Sequence, residues 1–119
     1  MNILVVEDEE RVRQMAISAL RAAGYEVIEA ATGEEALSRC KEHTVDLLFT
    51  DIRLPGTLDG WDVAEHCRAS HPSIPVVYAS GYSHKEARHV PGSVYIPKPY
   101  RPSLLVKTIR DLIGSTSGL

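Results

Sequence analysis

Leu47-Leu48-Phe49-Thr50-Asp51-Ile52-Arg53-Leu54-Pro55 decides how this chain is read. The apolar run from Val45 to Phe49 is too short for a helix and suits a strand covered on both faces. It delivers an acid, Asp51, just past its carboxyl end. Comparable runs stand on either side: Ile3 to Val6, Tyr25 to Ile28, Pro75 to Ala79 and Val94 to Ile96.

Between these runs the period lengthens to that of a helix. Arg11 to Ala23 places Val12, Met15, Ala16, Ala19 and Leu20 on one face and stops at Gly24. Thr32-Gly33-Glu34-Glu35 fits a capping box ahead of Ala36, Leu37 and Cys40. Asp59 suits the N-cap of a third helix that runs to Ala69, before the break at His71-Pro72. Pro102 opens a last helix carrying Leu105, Ile109 and Leu112 towards Gly114. Gly81 to Gly92 is poorer. Ser83 to His89 allows about two turns with little apolar face, so a short or mobile fourth helix is expected there. Strands alternating with helices on brief connections predict an α/β domain of five βα units, a parallel sheet with helices on both faces. Residues 1–114 form that domain and 115–119, rich in Gly and Ser, a flexible tail.

Composition agrees. The 119 residues are 44% hydrophobic and 24% charged, an ordinary globular profile sized for one domain. A barrel enzyme of about 250 residues is excluded, and no room is expected for a separate output domain. Thirteen Lys and Arg against 16 Asp and Glu leave a net charge of -3, so neither nucleic acid nor a membrane surface is an expected partner. The start, Met1 to Val6, meets Glu7-Asp8-Glu9-Glu10 too soon for a signal peptide or a span. Cys40 and Cys67 stand far apart in sequence and outside any CxxC pattern, which supports neither a disulfide nor a zinc site. A cytoplasmic location is the expectation.

In an open α/β sheet, ligands sit beyond the carboxyl ends of the strands. The residues arriving there are Glu7 and Asp8, Asp51, Ser80 and Lys98. Three carboxylates at close range repel unless one is protonated or a cation binds. A hard divalent ion that takes one or two carboxylates beside a phosphate describes magnesium, with manganese a possible substitute. A lysine supplies a point charge for a phosphoryl oxygen, a serine hydroxyl a further donor. One carboxylate can then attack phosphorus and give an aspartyl-phosphate. Glu9 and Glu10 fit a simpler role, acids at a helix N-terminus.

With Ile3 to Glu9, Leu47 to Pro55, Asp59-Gly60, Val76 to Gly81 and Tyr95 to Tyr100 in this order, the chain from Asn2 to about Ile113 resembles the receiver domain of two-component response regulators. The resemblance implies a flavodoxin-like, doubly wound (βα)5 fold with strand order 2-1-3-4-5. It implies that Asp51 accepts a phosphoryl group from a histidine kinase or a histidine phosphotransfer domain. It makes Asp8 a direct magnesium ligand, Glu7 its acidic neighbour, and the Arg53 backbone carbonyl a further ligand. Lys98 becomes the phosphate-binding lysine, Ser80 the switch hydroxyl and Tyr95 the aromatic that turns inward with it. It also implies a cis bond at Lys98-Pro99, while Pro97 suggests a strand end or a sheet edge.

Two departures accompany it. The loop Leu54 to Gly60 is one residue longer than the common form, and the stretch from Ser80 to Lys98 is short. The second departure sets the usual dimer face aside, leaving a monomer or a weak dimer. A domain of this kind is not an enzyme on outside substrates, and its signal leaves through phosphotransfer or through docking to a downstream protein that the residues do not name. Three alternatives fit the residues less well. A phosphatase of the haloacid dehalogenase type would need an acid two residues after its nucleophile, where this chain has Arg53. An adaptor acting without phosphorylation would not need the acidic set. A nucleotide-binding loop is absent, since no glycines build GxGxxG or GxxxxGK[ST].

Overall fold

A computed structural model describes residues 1–81 and 88–117. Five strands, β1 (Asn2–Val6), β2 (Glu26–Ala30), β3 (Leu47–Asp51), β4 (Val76–Ser80) and β5 (Val94–Pro97), form one sheet in the order β2-β1-β3-β4-β5. Each adjacent pair is parallel. Four helices complete the described chain: α1 (Glu10–Ala22), α2 (Gly33–Glu42), α3 (Gly60–Ser70) and α4 (Pro102–Ser117). This is the doubly wound, flavodoxin-like architecture, and it bears out the expected fold and strand order.

Strand alternation divides the core. Leu4 and Val6 of β1 point to one face, where they join Leu48, Val63, Ala64, Val76 and Tyr78 beneath α2 and α3. Ile3 and Val5 point to the other and join Ala16, Ile17, Leu20, Phe49, Leu105 and Ile109 beneath α1 and α4. Both faces of β1, β3 and β4 are therefore covered, which is why their sequences show no polar alternation. Each fully buried Leu, Ile or Val contributes about 1.5–3 kcal/mol.

Helix ends follow local chemistry, with some surprises. Gly24 ends α1 in the left-handed region, φ 98°, a conformation that glycine adopts without steric cost. At α3 the capping box is complete: Asp59 accepts from the Asp62 N–H at 2.9 Å, and Asp62 accepts from the Asp59 N–H at 3.0 Å. At α2 only half forms. Thr32 Oγ1 accepts from Glu35 N at 3.0 Å, but the Glu35 carboxylate accepts from Ala31 N instead, at 2.6 Å.

Three expectations need correction or restriction. Ala16 and Leu20 are buried and Val12 packs against them as expected, but Met15 is exposed and Ile17 buried, so the apolar stripe of α1 is turned towards Ile17 at one edge. α4 continues through Gly114 to Ser117, since one glycine weakens a helix without having to end it. The expected fourth helix falls largely on residues 82–87, outside the described residues. Pro97 is the last residue of the edge strand β5, a position where a missing N–H costs the ladder no bond. None of the helices among the described residues is long and apolar enough to cross a membrane.

Candidate functional site

The carboxyl ends of β1, β3, β4 and β5 lie side by side, so residues distant in sequence meet at one rim. Asp51 is the last residue of β3 and 8% exposed; Ser80 is the last of β4 and 3% exposed. Glu7, 4% exposed, follows β1 directly, its N–H donating to the Ala30 carbonyl at 3.0 Å. That bond extends the β1–β2 ladder by one step and holds the Glu7 side chain inside the rim. Asp8, one residue on, is exposed. Carboxylate oxygens of Glu7, Asp8 and Asp51 all lie within 4.8 Å of one another.

Lys98 supplies the opposing charge. Its Nζ donates to Glu7 Oε1 at 2.6 Å and to Asp51 Oδ2 at 2.9 Å. Its backbone N–H donates to the Ser80 carbonyl at 2.8 Å, and the Lys98–Pro99 bond is cis. The lysine thus continues the β4–β5 pairing one step beyond Pro97 while its side chain crosses the rim to β1 and β3.

Electrostatics follow from burial. Desolvation raises the Glu7 carboxyl above the ordinary range, offset by the Lys98 contact and a hydrogen bond from the Glu9 N–H. Asp51 is raised for the same main reason, with Lys98 opposing and the Asp8 charge adding to the rise. For Lys98, burial favours the neutral amine, but bonds to Glu7 and Asp51 together outweigh it and raise its pKa. The arrangement holds three acids near one ammonium, two of them in a poorly hydrated setting. Such a donor set, oxygen only and net negative, fits a hard divalent cation.

The remaining predicted residues differ in placement. Ser80 joins the rim. Tyr95 sits on β5 opposite Tyr78 in register and is 39% exposed, on the outside of the fold. Arg53 is exposed two residues beyond Asp51. The lengthened loop after it is tied to α2: Thr57 N and Oγ1 both donate to Glu34 Oε2, at 3.2 and 2.8 Å.

Sequence reasoning missed several neighbours. Gly60 opens α3 against the end of β3, where a Cβ would stand 2.2 Å from the Asp51 carbonyl oxygen and 2.8 Å from Ile52 Cα. Its N–H donates to Ile52 O at 2.7 Å. The Asp59-Gly60 pair signalled a helix start, but not this close approach. Tyr100 packs edge-on against Phe49, ring centroids 5.7 Å apart, and its phenol is pushed up to about 12 by burial and, second, by the Glu7 charge. Cys40 and Cys67 are free thiols whose Sγ atoms lie 3.1 Å apart, a contact their separation in sequence gave no reason to expect.

Comparison with known proteins adds to this geometry. The family profile described as the response regulator receiver domain matches residues 3–110. The chain is 35% identical over 117 residues to the sensor kinase CckA of Brucella abortus, covering 93% of this chain and 12% of that protein. It is 32% identical to the transcriptional regulatory protein ResD of Bacillus subtilis, covering 97% of this chain and 49% of that one. The chain therefore spans about half or less of the length of these relatives. Among solved structures, a response regulator receiver protein from Sinorhizobium medicae superposes with a TM-score of 0.91 at 32% identity, covering 96% of this chain and 94% of that one. The receiver domain of the hybrid histidine kinase CckA superposes at 0.82 and 39% identity, over 94% and 98%.

Proposed function

Since this chain belongs to the response regulator receiver domain family, we propose that it is a phosphorylatable switch in which Asp51 accepts a phosphoryl group from a phosphohistidine of a histidine kinase or phosphotransfer domain. The observation that carries this reading is the single ammonium of Lys98 within hydrogen-bond reach of both Asp51 and Glu7 at the strand-end rim.

An Asp51 carboxylate oxygen attacks phosphorus, the P–N bond to the donor imidazole breaks, and the imidazole leaves with the electron pair. Lys98 gains an anionic oxygen to pair with as charge builds on the transferring group, in a setting of low hydration where such a contact counts most. Glu7, Asp8, Asp51 and the Arg53 backbone carbonyl would hold magnesium, which supplies positive charge to the phosphoryl oxygens; manganese has the same oxygen preference.

The new group carries about two negative charges and three acceptor oxygens. Ser80, buried at the neighbouring strand end, donates its hydroxyl to it. Its backbone shift opens space into which the exposed Tyr95 ring turns, and that coupled movement is the signal. The chain acts as a regulatory domain in the cytoplasm and turns over only its own phosphate. A downstream protein or a further phosphotransfer step reads the result.

The test is direct. Purified protein incubated with magnesium and acetyl phosphate, then weighed intact, should gain one phosphoryl group that Asp51→Asn does not gain. An adduct that persists in the variant, or none in either protein, rejects the assignment.

A further inference from the structure

Cys40 lies on α2 and Cys67 on α3, two helices packed on the same face of the sheet. They are the only two cysteines of the chain. Their sulfurs are 3.1 Å apart, already in contact, and need to approach by about 1 Å to reach a bonded separation near 2.05 Å. Cys67 is 2% exposed and Cys40 is half-buried. A cavity of about 330 Å³ opens beside them, lined by Leu37, Cys40, Lys41, His66, Cys67 and Ser70. A small reagent can therefore enter beside the pair, and the more accessible sulfur is Cys40.

We propose that Cys40 and Cys67 form a redox-modification site, a dithiol that a low-molecular-weight disulfide converts into a covalent tie between α2 and α3. Cys40, having lost its proton, attacks one sulfur of the small disulfide; the S–S bond breaks and one small thiolate leaves, taking up a proton. Cys67 then gives up its proton and attacks Cys40 Sγ, displacing the second small thiolate, which is protonated in turn. The two cysteines lose two electrons and the small disulfide gains them. The contact between the two sulfurs, in which either can donate, lowers the Cys40 thiol below its ordinary range and, with burial, raises Cys67. Exposure assigns the roles: Cys40, half-buried beside the cavity, attacks, and the buried Cys67 resolves.

Neither cysteine belongs to the phosphoryl-acceptor site, so the proposal is tested without phosphorylation. The full chain is treated anaerobically with oxidised glutathione, quenched with acid, alkylated and weighed intact. The expected product is a monomer lighter by two hydrogens that takes up no alkylating reagent. Digestion releases a Cys40–Cys67 linked peptide, and dithiothreitol restores two alkylatable thiols. Cys67→Ser, with Cys67→Ala as a second variant for the buried position, should stop at a glutathione adduct on Cys40. A wild-type protein that stops at the mixed disulfide, keeps both thiols, or links only between copies overturns the proposal.

Discussion

Lys98 reaches Glu7 at 2.6 Å across 91 residues of chain, closer than it reaches Asp51 at 2.9 Å. One ammonium is thus shared by two buried carboxylates, and its removal leaves them facing each other. Lys98→Ala should slow formation of the phosphoryl adduct by about 100–1,000-fold, the scale of losing one donor at a site where charge develops. Intact-mass time courses with acetyl phosphate measure this, alongside circular dichroism to show that the fold persists. An unchanged rate contradicts the role given to Lys98.

Asp51 is expected to oppose folding when no divalent ion is bound. Burial raises its carboxyl pKa, so the ionised form is worse solvated in the fold than in the open chain. In buffer with a chelator, Asp51→Asn should raise the thermal midpoint by a few degrees. Added magnesium should then stabilise the wild type more than the variant, by about 2.7 kcal/mol at 100 times the dissociation constant. A variant less stable than wild type in chelator counts against the charge argument.

Gly60 has no room for a side chain. A Cβ would meet two backbone atoms, the Asp51 carbonyl oxygen and Ile52 Cα, and backbone cannot swing aside as a flexible side chain can. Gly60→Ala should cost about 2–4 kcal/mol in urea unfolding. Gly114→Ala is the control, since nothing lies within 4 Å of its Cβ position inside α4; it should gain about 0.5–1 kcal/mol.

Tyr100 governs part of the alkaline limb. An unfolded tyrosine ionises near pH 10, while the buried Tyr100 phenol is pushed up to about 12. The fold therefore holds a proton that the open chain releases across this window. Its contribution is intact below pH 10 and is lost as pH climbs towards 12. Tyr100→Phe should lose about 2 kcal/mol less stability than wild type between these values. Urea unfolding at stepped pH tests this, and parallel alkaline limbs in the two proteins would sink it.

The strands were readable because burial on both faces leaves little room for polar residues in β1, β3 and β4. The convergence of Glu7, Asp8 and Asp51 was readable because a parallel sheet gathers every strand's carboxyl end on one edge. What could not be read depends on reach and on the rotation of helices. Lys98 follows an edge strand, and only the path of its side chain over β4 and β3 shows that it meets Glu7 beyond β1. Ile17 replaces Met15 because Val12, Ala16 and Leu20 fix the middle of the stripe and leave open which of its edges is buried. The Cys40–Cys67 contact needs both the placement of α2 and α3 on one face and their turn about their own axes, neither of which spacing encodes.

The sharing of Lys98 also sets an ionic preference by valence. When Glu7, Asp8 and Asp51 are ionised, their three charges meet one ammonium, and two negative charges are left over. A sodium or potassium ion would leave the rim still anionic, whereas one divalent ion brings it to neutrality. Discrimination against the abundant monovalent cations thus starts from charge, before ionic radius or coordination number enters.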